Sequence, residues 1–171
     1  WLGSTVFVMF HVVLADDLGA THSRAKLALA SYSVALIMIA VAGGRIADIV
    51  GRKRMFMIGG VAFSVAALFG LTVTNLWSLV AVRAFMGLSA GLVLTATGGI
   101  LVSTMHGSTR HDAWLLWRGA GMAGMVLGPV IGPLIATGSS WRGLFISDAV
   151  LMLVAVGIGA YSMKESRDED S

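Results

Sequence analysis

The chain has 171 residues, of which 57% are hydrophobic and only 12% charged, with a net charge of +3 and a mean hydropathy of +0.86. Soluble domains carry about 25% charged residues, so this composition excludes an ordinary water-soluble domain. Cysteine is absent, which excludes a disulfide framework, thiol chemistry and thiolate metal sites. The basic residues stand mostly at the ends of apolar runs rather than in a patch suited to nucleic acid, an arrangement that membrane topology explains.

A spanning helix needs roughly 20 apolar residues, and the pattern predicts six segments in an all-α, polytopic membrane protein. The first, Leu2–Ala15, covers about 21 Å against a hydrocarbon core of about 30 Å, so it reads as a span truncated at its start. The others are Leu27–Ile46, Met55–Thr74, Leu79–Met105, Ala113–Thr137 and Gly143–Met163. Polar or turn-forming stretches join them: Asp16 to Gly19, Gly44 to Arg54, Thr74-Asn75, His106 to Asp112 and Gly138 to Ser140. Residues 1–163 form one bundle, and Lys164 to Ser171 form a charged tail or the start of a longer loop.

Arg45, Arg52, Lys53, Arg54, Arg110, Lys164 and Arg167 fall on one side of this layout, and Arg24, Lys26 and Arg142 on the other. That bias puts the 44–54 hinge on the cytoplasmic side. Three segments in each half are compatible with an inverted three-plus-three repeat.

The hinge reads Gly44-Arg45-Ile46-Ala47-Asp48-Ile49-Val50-Gly51-Arg52-Lys53-Arg54. Gly44 and Gly51 permit a turn and close backbone approach, and Asp48 and Arg52 are four apart, a pairing distance on a helix. The string resembles the G-x-L-A-D-R-x-G-R-R/K signature of the major facilitator superfamily, which lies between that fold's second and third helices. Gly44, Asp48, Gly51, Arg52 and Arg54 match, Ile46 is a conservative change, and Ile49 replaces an arginine. The resemblance implies a latch that gates the switch between two conformations.

Arg83, in Arg83-Ala84-Phe85-Met86-Gly87-Leu88-Ser89-Ala90-Gly91, lies about 6 Å inside its segment. A cation there must snorkel, pair or face a cavity. The segment is similar to the family's R-x-x-Q-G-x-x-x-A motif, whose arginine the resemblance links to proton transfer; Met86 stands at the glutamine position. Asp148 enters the last segment from the same side at comparable depth. It is expected to compensate Arg83 or share a protonation step with it, the alternative being a carboxylate at the helix start in the headgroup region.

Both prolines of the chain fall in Gly124-Met125-Val126-Leu127-Gly128-Pro129-Val130-Ile131-Gly132-Pro133. Each removes a backbone donor, which predicts a bent helix. Ala120, Gly124, Gly128 and Gly132 make a ridge for close helix contact. The stretch resembles the G-x-x-x-G-P-x-x-G-G signature of proton-coupled drug antiporters in the same superfamily, with Pro133 in place of the last glycine. Ser140-Trp141-Arg142-Gly143-Leu144-Phe145-Ile146 is similar to the opening of their sixth helix. Leu2-Gly3-Ser4-Thr5 resembles their L-D-x-T, with Gly3 where the acid stands.

Together these resemblances imply the N-terminal six-helix half of a secondary transporter. Its expected activity is proton-coupled efflux of drugs or small organic molecules, in a bacterial inner membrane, beside a C-terminal six-helix half. Small-molecule substrate, protons and lipid are the expected partners; an enzyme, a cofactor, a metal and nucleic acid are not. The chain has no G-x-x-x-x-G-K-[S/T] phosphate loop and no histidine spacing suited to zinc. A proton symporter importing a sugar or organic acid, and a non-transporting half that acts through interaction, are the competing readings.

Overall fold

In the computed structural model, residues 19, 21–104, 108–138 and 141–163 are described, and all the regular structure among them is helical. The predicted first segment Leu2–Ala15, the tail from Lys164 and the turn at Ser139-Ser140 lie outside these residues. In chain order the helices are α1 (His22–Val50), α2 (Arg52–Phe69), α3 (Leu76–Thr104), α4 (Ser108–Gly138) and α5 (Gly143–Ser162).

Apolar side chains surround these helices on every face, and such helices require hydrocarbon or protein around them. Accordingly, large apolar side chains cover the outside. Val41 is 83% exposed, and Trp77, Phe85, Leu116 and Ile158 are exposed too. The interior is instead rich in small residues, including Ala28, Ala35, Ala47, Ala67 and Ala96. Among the described residues, Arg24–Val50, Arg52–Thr72, Leu76–Ser103 and Gly143–Ser162 are each long and apolar enough to cross a bilayer. Lipid as solvent explains this inverted distribution.

Helix ends depart from the expected boundaries for local reasons. α1 runs on to Val50, so most of the expected 44–54 loop is helix and the reversal is confined to Gly51, at φ 97° and ψ 131°. Only glycine adopts that backbone region without strain. α2 ends in a 3-10 turn, Gly70–Thr72, whose Thr72 hydroxyl donates to the Phe69 carbonyl at 2.9 Å. Asn75 caps α3, its Oδ1 accepting from the Ser78 amide at 2.9 Å. α4 begins at Ser108, so His111 and Asp112 belong to a helix rather than to the expected loop.

α3 is the central helix, packed against α1 and α2, while α2 also packs against α5. Its contact with α1 depends on missing side chains. A Cβ at Gly87 would run into the Tyr32 carbonyl, and one at Gly91 would stand 2.9 Å from the Leu36 carbonyl oxygen. From the other side, a Cβ at Gly43 would lie 2.8 Å from Thr95 Oγ1. The Ser31 hydroxyl donates across this seam to the Val80 carbonyl at 3.2 Å. Two apolar clusters fill the bundle, one around Phe63, Leu79, Met86 and Phe145 and one near the hinge around Met55 and Phe56. α4 touches the other described helices only slightly and faces them across a cavity.

Candidate functional site

At the hinge, Asp48 ends α1 and Arg52 opens α2, and Gly51 between them turns the chain so that the two meet. Arg52 Nη2 lies 3.0 Å from Asp48 Oδ1, and its Nη1 donates to the Gly99 carbonyl of α3 at 2.7 Å. Lys53 Nζ donates to the Ala160 carbonyl at 3.0 Å, satisfying an acceptor in the last turn of α5. One short segment therefore ties the ends of four helices. Gly99 is a part of this, since a Cβ there would stand 3.0 Å from Arg52 Nε.

Arg54 is exposed. Gly44 departs from expectation: it lies within α1, and a Cβ on it would meet nothing within 4 Å. The close approach belongs to Gly43, one residue earlier and facing α3. The Asp48 side chain is 44% exposed and that of Arg52 17%, and ion pairs of this kind contribute about 0.2–1 kcal/mol. Asp48→Asn is expected to lower stability by no more than that, read as a small fall in melting temperature in detergent.

At the opposite end, Arg83 is 2% exposed and Asp148 8%. The Arg83 guanidinium carbon stands 5.4 Å from the Phe145 ring centroid and 5.9 Å from that of Tyr32, a cation held between two aromatic rings. Asp148 follows Phe145 by three residues on α5, hence on nearly the same face. The two charges act on one another electrostatically, although no salt bridge joins them directly. Asp148 is thus buried among protein side chains in the first turns of α5. Beside them Arg142 stacks on Trp141 at 4.4 Å and donates to the Val73 carbonyl at 3.0 Å, closing this end of the bundle.

Between these ends lies a cavity of about 590 Å³. Its walls are Tyr32 and Leu36 of α1, Phe63 of α2, Ala90, Val93, Leu94 and Thr97 of α3, Met152 of α5, and residues of α4 from Trp117 to Met125. Gly124 and Ala120 line it, and Ala120 is exposed rather than pressed against another described helix. Among the described residues, these two positions of the ridge border the cavity. α4 continues as one helix through Gly128, Pro129, Gly132 and Pro133. Their side-chain surroundings lie outside the described residues.

Arg118, also on this wall, escaped the sequence reading. The signal that could have found it is a lone cation inside an apolar segment, since such residues mark pathways or sites.

The chain is 26% identical over 168 residues to the multidrug efflux pump LfrA of Mycolicibacterium smegmatis, covering 98% of this chain and 33% of the pump. It is 29% identical over 163 residues to a probable actinorhodin transporter of Streptomyces coelicolor, covering 93% of this chain and 28% of that protein. With the multidrug resistance protein MdtL of Klebsiella pneumoniae it shares 27% identity over 154 residues, 90% of this chain and 39% of MdtL. The chain thus spans about a third of the length of the curated relatives it matches. The sequence profile of the Major Facilitator Superfamily matches residues 1–171, end to end. With its apolar helices and the hinge string between α1 and α2, this chain is an integral membrane protein and belongs to that superfamily.

Proposed function

We propose that residues 1–163 form the N-terminal six-helix bundle of a proton-coupled exporter of drugs or small organic molecules, with residues 164–171 opening the loop to a second bundle. The observation that carries this reading is the buried Arg83 and Asp148, which act on one another electrostatically, in a bundle whose helices also line an open apolar cavity. The names of the relatives, which include a multidrug efflux pump and a methyl viologen resistance protein of Salmonella typhimurium, support export over import. In this reading the membrane is a bacterial inner membrane. The excess of arginine and lysine around Gly51 supports a cytoplasmic hinge.

Protonation of Asp148 would cancel the charge that Arg83 experiences, changing the energy of the packed state around Phe145 and Tyr32. A proton can drive transport only if it binds the inward- and outward-open states unequally. A buried cation that loses one of the charges acting on it supplies such a difference if the two states bury it unequally. Asp48 and Arg52 would then act as the cytoplasmic latch, opening and closing with the bundles. The stretch from Gly124 through Gly128, Pro129 and Gly132 would form the wall of α4 along which substrate passes.

Everted vesicles carrying the protein should accumulate a fluorescent cargo dye when the interior is acidified, and a protonophore should abolish the accumulation. Asp148→Asn and Arg83→Gln are each expected to lower the initial rate by about tenfold or more, equivalent to about 1.4 kcal/mol in the barrier. Dye binding to the same variants in detergent should change little. Accumulation indifferent to the protonophore, or unaltered in both variants, would sink the reading.

A further inference from the structure

Arg118 is the one charged side chain on the described wall of the central cavity. It lies five residues beyond Ala113, where the apolar run of α4 begins after the polar Ser108–Asp112 turn, about 8 Å along the helix. Its side chain is directed to the cavity wall rather than into a described helix contact. Its side chain is exposed, and among the described residues nothing forms a hydrogen bond or ion pair with it. No carboxylate occurs on the described wall either. A cation at membrane depth is costly unless something of opposite charge offsets it. Among the described residues, the side chains that share its wall cannot supply that charge.

What surrounds Arg118 is aromatic and soft. Trp117 lines the cavity beside it and is held edge-on by Trp114, with ring centroids 5.2 Å apart and an interplanar angle of 84°. Phe63, Met122 and Met125 complete an apolar surface. Methionine adapts to ligands of varied shape, and an apolar pocket with a few placed polar groups is the usual form of a small-molecule site.

We infer that this cavity takes an organic anion: a carboxylate or sulfonate that pairs with the Arg118 guanidinium while its aromatic body lies against Trp117 and the methionines. The planar fork of arginine matches two carboxylate oxygens at once. A permanently charged organic cation of the same size would meet like charge without compensation. The inference names a substrate class for the exporter proposed above and so rests on that reading. The occupancy itself requires no proton gradient and can be measured without transport.

The test is equilibrium binding to the purified protein in an uncharged maltoside detergent, using three probes of one shape: 2-naphthoate, 2-naphthamide and (2-naphthylmethyl)trimethylammonium. Naphthoate should bind about tenfold or more tightly than the amide, as a charge-assisted pair implies, and the ammonium probe least of all. Arg118→Gln should bring naphthoate down to the amide's affinity, and Arg118→Lys should keep part of the preference. Unchanged melting temperatures would show that both variants fold; if Arg118→Gln unfolds, Arg118→Lys together with the probe ranking on the unaltered protein decides.

Equal affinity for the three probes, or a naphthoate preference that survives Arg118→Gln, overturns the inference. The second result would mean that Arg118 serves a contact with another part of the transporter. Arg118-dependent naphthoate binding in a protein that shows no proton-driven accumulation would instead overturn the exporter reading and leave this one standing.

Discussion

Gly87→Leu is expected to prise α1 from α3 and to lower the melting temperature in detergent more than any change at the charged hinge. A side chain at Gly87 meets the backbone of Tyr32, with the Tyr32 Cα only 3.0 Å from the added Cβ. A backbone carbonyl cannot rotate away as a flexible side chain does, so the helices themselves must separate. Overpacking of this type costs about 1–3 kcal/mol and occasionally more, and each kcal/mol lowers the melting temperature of a chain this size by about 2–4 °C. Even Gly87→Ala should be felt, because the Cβ alone makes the clash.

The damage should also reach the buried charges. Tyr32 is one of the two rings facing the Arg83 guanidinium, and Arg83 is one helical turn from Gly87. Gly44→Ala makes the contrast. It adds a Cβ in open space within a helix, where Gly-to-Ala exchange gains about 0.4–1 kcal/mol. A Gly87→Leu protein that melts with the unaltered one would show that α1 and α3 do not approach as closely as the fold requires.

Gly51→Val should release the hinge. At φ 97° a β-branched residue is strained by about 1–3 kcal/mol, and relief of that strain rotates Arg52 and Lys53 away from their acceptors. The Asp48 ion pair, the Gly99 hydrogen bond and the Ala160 hydrogen bond would then be lost together, whereas Asp48→Asn removes only the first. Limited trypsin digestion in detergent gives the readout, since Arg52, Lys53 and Arg54 are all cleavage sites. Gly51→Val should be cut there several-fold faster, and Asp48→Asn at nearly the original rate. Equal cutting in all three proteins would mean that the turn does not hold these contacts in place.

The two variants probe different kinds of information. Gly51 was legible as a turn because the need is local: apolar helices must reverse, and a glycine beside basic residues is where they can. The motif did mislead about extent. Its neighbours from Arg45 to Val50 have no helix breaker among them, and the apolar packing of α1 carries the helix through to the last residue before Gly51. Gly44 itself was assigned a close contact that belongs to Gly43, because a motif names positions without saying which way a helix face points.

Arg83 and Asp148 show the same division. Their depth in two separate segments could be counted from the sequence, but they lie 65 positions apart in the chain. Only packing around Phe145 brings their charges into one environment. Arg118 stood in plain view as a lone arginine in an apolar run, yet it acquires meaning only with Trp117 beside it and the α3 wall opposite. The ridge at Ala120 and Gly124 went the other way: small residues suit either a tight interface or the lining of a cavity, and composition cannot choose between them.

What the amino-acid order determined alone is therefore the solvent, the helices and the place where the chain turns, since each depends on apolar run length and on the backbone freedom of nearby residues. Which helix faces meet, which charges share a buried space and which small residues border a void were decided by the tertiary structure. Those are contacts between parts distant in the chain, and their energies depend on fit across a gap that no local pattern encodes.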